Sequence, residues 1–185
     1  MGKAFGLMVG AAFLLIAMFG FSIYNSLTSA RIEVDAAYGQ VENQVQRRAD
    51  LIPNLVSTVK GYMQYEEKVL TEVTAARTQV MNAKSPSELA EADLAMTGAL
   101  GRLLAVAENY PELKSNEHFT ELMREISGSE NRIAVARRDY NSAIKNYNVE
   151  VQTFPGLIFA GFLGFQPMKQ FEAEEAAHAV PNVEF

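Results

Sequence analysis

Every seventh residue from Phe119 to Phe154 is aromatic or isoleucine: Phe119, Ile126, Ile133, Tyr140, Tyr147 and Phe154. A strict seven-residue repeat sustained that long demands a helix packed along its length in a bundle or coiled coil. Phe154-Pro155-Gly156 stops it. The rest of the chain is written to match. Ser85-Pro86-Ser87-Glu88 reads as a helix start, with serine as cap, proline at the first helical position and glutamate closing a capping box. Leu89, Met96, Leu103 and Tyr110 then recur every seven residues before Pro111. Upstream, apolar residues alternate steps of four and three through Val34, Tyr38, Val41, Val45, Ile52, Leu55, Val59 and Tyr62, then Val69, Val73, Ala76 and Val80. Arg48 and Glu66 interrupt that stripe, so each should have a buried or half-buried partner.

Pro53 lies inside this stripe and can be read as a kink or as a boundary. The unbroken phase favours a kink. Arg47 and Arg48 suit the last turn of one helix, while Asp50 and Pro53 suit the start of the next. Without a break the first helix would be about 90 Å long at about 1.5 Å per residue, and only shorter partners could cover it. A helix connection at Asp50 and Pro53 is therefore expected. It gives four helices suited to up-down-up-down packing.

The residues from Ala4 to Tyr24 (AFGLMVGAAFLLIAMFGFSIY) carry no charge. About 20 apolar residues suffice to cross a bilayer. The run exceeds the roughly 7–15 residues of a cleaved signal's apolar region, and Thr28-Ser29-Ala30 is a poor cleavage site, so a retained signal-anchor is expected. Lys3 on one flank and Arg31 on the other nearly balance the positive charges. The short basic start resembles an uncleaved export signal and leans the large domain towards the extracytoplasmic side. Gly6-x-x-x-Gly10 is a small-xxx-small match that permits close helix contact.

The fold expected is all-α: an N-terminal transmembrane helix (1–25), an antiparallel four-helix bundle with long heptad-patterned helices (26–153), and an apolar Phe/Gly-rich segment with an acidic tail (154–185). Net charge is −6, with no basic block, which argues against nucleic acid. There is no cysteine, which excludes disulfides and thiolate chemistry. His118 has no glutamate at the spacing of a di-iron site, and Glu175-x-x-His178 supplies only half of such a motif. No phosphate loop or nucleophile elbow is present. No enzyme activity and no cofactor are expected.

Two features suggest contacts. Arg132, Arg137, Arg138 and Asp139 form a polar run, read either as a solvated face or, with Arg48 and Glu66, as a polar interface. FPGLIFAGFLGF (154–165) is uncharged and carries Phe154, Phe159, Phe162 and Phe165. It is too short to span a bilayer. It should meet the membrane surface or pack beside the anchor or a neighbouring subunit; folding back as a plug on the bundle's own core is the alternative.

RRADLIPNLVSTVKGY (47–62), GRLLAVAENYPELKSNEHF (101–119), SENRIAVARRDYNSAIKNYN (129–148) and FPGLIFAGFLGF resemble the LemA family of bacterial membrane proteins. The resemblance covers nearly the whole chain in order. It implies a single-pass anchor in the bacterial inner membrane and an antiparallel four-helix bundle, and it brings no enzymatic activity with it. Family members often lie near membrane metalloproteases in genomes, which suggests such a protease as partner, in membrane-protein quality control. The function expected is a membrane-anchored scaffold that self-associates as a homo-oligomer, with an adaptor or regulator of a membrane metalloprotease as the alternative. A metal-dependent enzyme with its site in the bundle core is the third reading weighed against them. The lipid bilayer is a partner in the first two.

Overall fold

The computed structural model describes residues 2–63 and 65–171, and the regular structure among them is entirely helical. The helices are α1 (Gly2–Lys60), α2 (Glu67–Asn82), α3 (Pro86–Ala107), α4 (Pro111–Lys114), α5 (Glu117–Gln152) and α6 (Gly156–Leu163). Among the described residues α1 alone is long and apolar enough to cross a membrane. Two compact units share these helices. One joins the chain up to Ala37 to Asp139–Gln170, and the other joins Tyr38–Arg138 to Phe171.

In the second unit the stripe residues Val41, Val45, Ile52, Leu55 and Val59 of α1 are all buried. Val73, Ala76 and Val80 of α2, Met96 and Leu103 of α3, and Phe119, Ile126 and Ile133 of α5 complete that core. Arg77 reaches Ala49, and Leu70 shares a groove with Lys60, so α2 runs back along α1. Arg102 bonds Glu72, and Leu89 shares a groove with Val80, so α3 runs back along α2. Arg48 meets Glu130, and Asn116 bonds Tyr62, so α5 runs back along α1.

The helix connection expected at Asp50 and Pro53 is not there. Pro53 lies inside α1, and the chain turns only after Lys60, at Gly61. Asp50 is an exposed mid-helix residue, not a cap. The reason is physical. Proline in a helix removes the N–H that would bond the carbonyl four residues earlier, here that of Ala49. Arg77 of α2 donates its Nε–H to the Ala49 oxygen at 3.1 Å. A side chain from the neighbouring helix thus supplies the missing donor, and the phase of the stripe decides.

The start of α3 is as expected. Ser85 Oγ accepts the Glu88 N–H at 3.2 Å. The Glu88 carboxylate accepts the backbone N–H of Lys84 at 2.8 Å, one residue earlier than in the usual capping box. Ser85→Ala is expected to cost about 1 kcal/mol of stability, read as a lower urea midpoint at unchanged slope.

In the first unit Ile23, Leu27, Ala30 and Val34 of α1 are buried, as are Tyr140, Ile144, Tyr147 and Val151 of α5. Ser26 Oγ donates to Glu150 Oε2 at 2.8 Å. Of the six residues of the seven-residue repeat, only Phe154 is exposed, at 77%, because α5 has ended at Gln152. Gly156 then opens α6 where any Cβ would overlap the Glu150 carbonyl oxygen. Gly164 closes it with φ 78°, the left-handed geometry that favours glycine.

Candidate functional site

The most concentrated polar chemistry lies in the second unit, around Asp93 of α3. Its carboxylate accepts from two guanidiniums on different helices: Arg48 of α1 through Oδ1, and Arg137 of α5 through Oδ2 at 2.5 Å. Arg48 Nη2 also donates to the Asp93 carbonyl and to Thr97 Oγ1, each at 3.0 Å. Arg48 Nη1 pairs with Glu130 of α5. Arg48 and Asp93 are each 1% exposed. The Arg137 guanidinium lies 5.8 Å from the centre of the Phe171 ring, a cation–π contact.

Burial raises the Asp93 carboxyl above its ordinary value, and the attraction of Arg48 and Arg137 opposes that rise. Burial likewise lowers the Arg48 guanidinium, against the pull of Asp93. Two arginines and two carboxylates balance in charge. The arrangement ties α1, α3 and α5 together through paired opposite charges and is suited to fixing three helices in one register.

The sequence expected Arg48 as a helix-end cation and as part of a polar interface. It is neither, because it is enclosed within its own unit. Its expected buried partner is Asp93, and Glu66 is half-buried and accepts from the Tyr110 hydroxyl at 3.4 Å. Burial first, and then the Glu66 charge, raise the Tyr110 phenol. Of the polar run, Arg137 turns inward while Arg132 and Arg138 are exposed, Arg132 lying over Gly128. The run is thus divided between two directions and is not a single surface. Asp93 was missed, although a signal existed: it occupies the four-three ladder Leu89, Asp93, Met96, Leu100, Leu103.

His118 shares a surface groove with Asn54, Glu121 and Glu125, and Glu121 pairs with Arg124. Glu175 and His178 lie outside the described residues. Among the described residues no three His, Asp or Glu side chains gather as a metal would require.

The aromatic candidates lie in the first unit. Phe159 stacks edge-on against Phe19 of α1 at 6.4 Å, and its ring comes within 3.5 Å of where a Cβ on Gly20 would stand. Phe165 meets Tyr24 at 6.0 Å. Phe154 and Phe162 face outward, Phe162 at 90% exposure.

The family model described as LemA family matches residues 37–185, which includes the arginine–aspartate cluster and α6. The chain belongs to the LemA family. This LemA-family chain is 26% identical over 179 residues to "Magnetosome protein MamQ 2" of Paramagnetospirillum magneticum, covering 83% of the chain and 66% of that relative. It is 24% identical to "Magnetosome protein MamQ" of Magnetospirillum gryphiswaldense over the same shares. It is 26% identical to "Protein LemA" of Metamycoplasma hominis, covering 82% of the chain and 69% of that relative. The LemA-family chain thus spans just under two thirds of the length of the MamQ relatives. Membership and relatives together mark a membrane-associated protein.

Proposed function

We propose that this protein is a membrane-anchored, non-enzymatic scaffold whose copies associate in the plane of the bacterial inner membrane, with the helical domain outside the cytoplasm. The observation that carries this reading is the surface of α1. Leu7, Val9, Phe13, Leu14, Leu15, Ile16, Met18 and Phe21 are all exposed, a contiguous apolar surface that water does not tolerate and acyl chains do. Gly6 and Gly10 have nothing within 4 Å of an added Cβ, which leaves room for the close approach of a second span. Anchoring in a plane raises the effective concentration of the domains, so that even a modest contact between copies suffices for assembly.

The mass of the particle extracted in mild detergent tests this. A particle of several chains is expected, and Gly10→Ile is expected to reduce it towards a single chain. A monomeric mass for the unaltered protein would remove the scaffold reading. A membrane metalloprotease co-purifying in fixed ratio would replace it with the role of a protease adaptor.

A further inference from the structure

We infer that residues 154–165 enter the hydrocarbon of the bilayer as a short re-entrant hairpin beside α1, so that the partner of their outer face is the acyl interior of the membrane. The inference rests on α1 being the membrane span proposed above. Depth along α1 follows residue number, at about 1.5 Å per residue. The uncharged run of α1 is bounded by Lys3 and Arg31. A hydrocarbon core takes about 20 helical residues, and wherever it is placed between those two charges it contains Phe19 and Gly20. Phe159 touches both. It therefore lies at hydrocarbon depth with them.

The surrounding chain is built for that position. The stretch between Glu150 and Lys169 is uncharged. Glu150 bonds Ser26 of α1, about 9 Å along the helix from Gly20. On the return, Asn148 holds the backbone of Met168 at both its N–H and its carbonyl, each at 2.8 Å. The segment therefore leaves α5 and comes back to it at nearly one level, with its charges kept at the entrance. Tyr24 and Phe165 meet between the two depths, where aromatic rings favour the membrane–water boundary.

Backbone in hydrocarbon must be bonded internally. Leu157 N–H reaches the Thr153 oxygen at 2.8 Å, Ile158 N–H the Pro155 oxygen at 3.2 Å, and Phe165 N–H the Ala160 oxygen at 2.9 Å, while Pro155 has no N–H to satisfy. Gly156 and Ala160 are buried, and Leu157, Ile158 and Phe162 are exposed on the other side. That exposed side is the one lipid covers.

The chain contains no cysteine, so single substitutions report cleanly. The full chain is placed in phosphatidylcholine–phosphatidylglycerol vesicles as Phe162→Cys, as Leu14→Cys in the span, and as Thr120→Cys on an exposed position of α5. A water-soluble maleimide is supplied on both sides of the membrane. Phe162→Cys is expected to react roughly tenfold or more slowly than Thr120→Cys, because an apolar medium raises the thiol pKa and removes the reactive thiolate. A bimane label at 162 should be quenched by brominated acyl chains as strongly as one at 14. Equal reactivity at 162 and 120, with 14 protected, overturns the hairpin and leaves the span standing. Protection at 162 without quenching means that protein covers the face, and also overturns it. Free reaction at 14 overturns the span and the hairpin together.

Discussion

Asp93→Ala is expected to destabilise the fold by about 3–5 kcal/mol, measured by urea or thermal unfolding of the full chain in detergent. The size comes from what the change leaves behind. Arg48 keeps its Glu130 partner, but its guanidinium is 1% exposed and Nη2 loses the carboxylate that accepts from it. Arg137 loses the same acceptor. Removing one member of a buried ion group costs more than the intact group contributes, because the stranded charge still bears its desolvation penalty. An apolar replacement of the core pair, Arg48→Met with Asp93→Leu, is therefore expected to recover most of the loss. If the double variant is as unstable as Asp93→Ala alone, the cluster contributes more than charge compensation. If Asp93→Ala unfolds within about 0.5 kcal/mol of the parent, as surface substitutions do, then the buried cluster is not closed.

Arg77→Met is expected to cost about 1–3 kcal/mol, the penalty for leaving a buried carbonyl without a donor. Ala49 is fully buried, and Pro53 cannot bond its oxygen. The test is a cycle. Pro53→Ala restores the N–H within α1, so in that background Arg77→Met should cost less than half as much. Well-separated substitutions without a shared partner add within about 0.3–0.5 kcal/mol. Additivity here would mean that Arg77 does not serve the proline.

These two sites also mark where sequence reading succeeds and where it stops. The seven-residue repeat placed Phe119, Ile126, Ile133, Tyr140 and Tyr147 in the interior, and all are buried. Such a pattern is legible because burial repeats with the turn of the helix. The Ser85 start was legible because capping chemistry is local. Pro53 misled because its remedy is not local: the rule for proline considers its own helix, and the compensating donor belongs to the next one. Three signals bore on Pro53, namely stripe phase, the terminus chemistry of Arg47, Arg48 and Asp50, and helix length, and phase was the best guide. The ion cluster was half legible. Arg48 on an apolar stripe announced a partner, and Asp93 on another stripe answered it, but no spacing rule pairs residues on different helices. The outward turn of Phe154 could not be read from its register, because register says nothing once the helix that carries it has ended.

The contact of Gly20 with Phe159 joins parts of the chain made far apart in time. At about 5–20 residues per second, the ribosome adds Phe159 on the order of ten seconds after Gly20. Throughout that interval the groove at Gly20 and the hydroxyl of Ser26 lack the ring and the carboxylate that later cover them. The flank of α1 at Gly20 is thus completed only once α6 has been made. A nascent chain stopped before α6 would hold α1 with its flank at Gly20 and Ser26 uncovered and open to other partners.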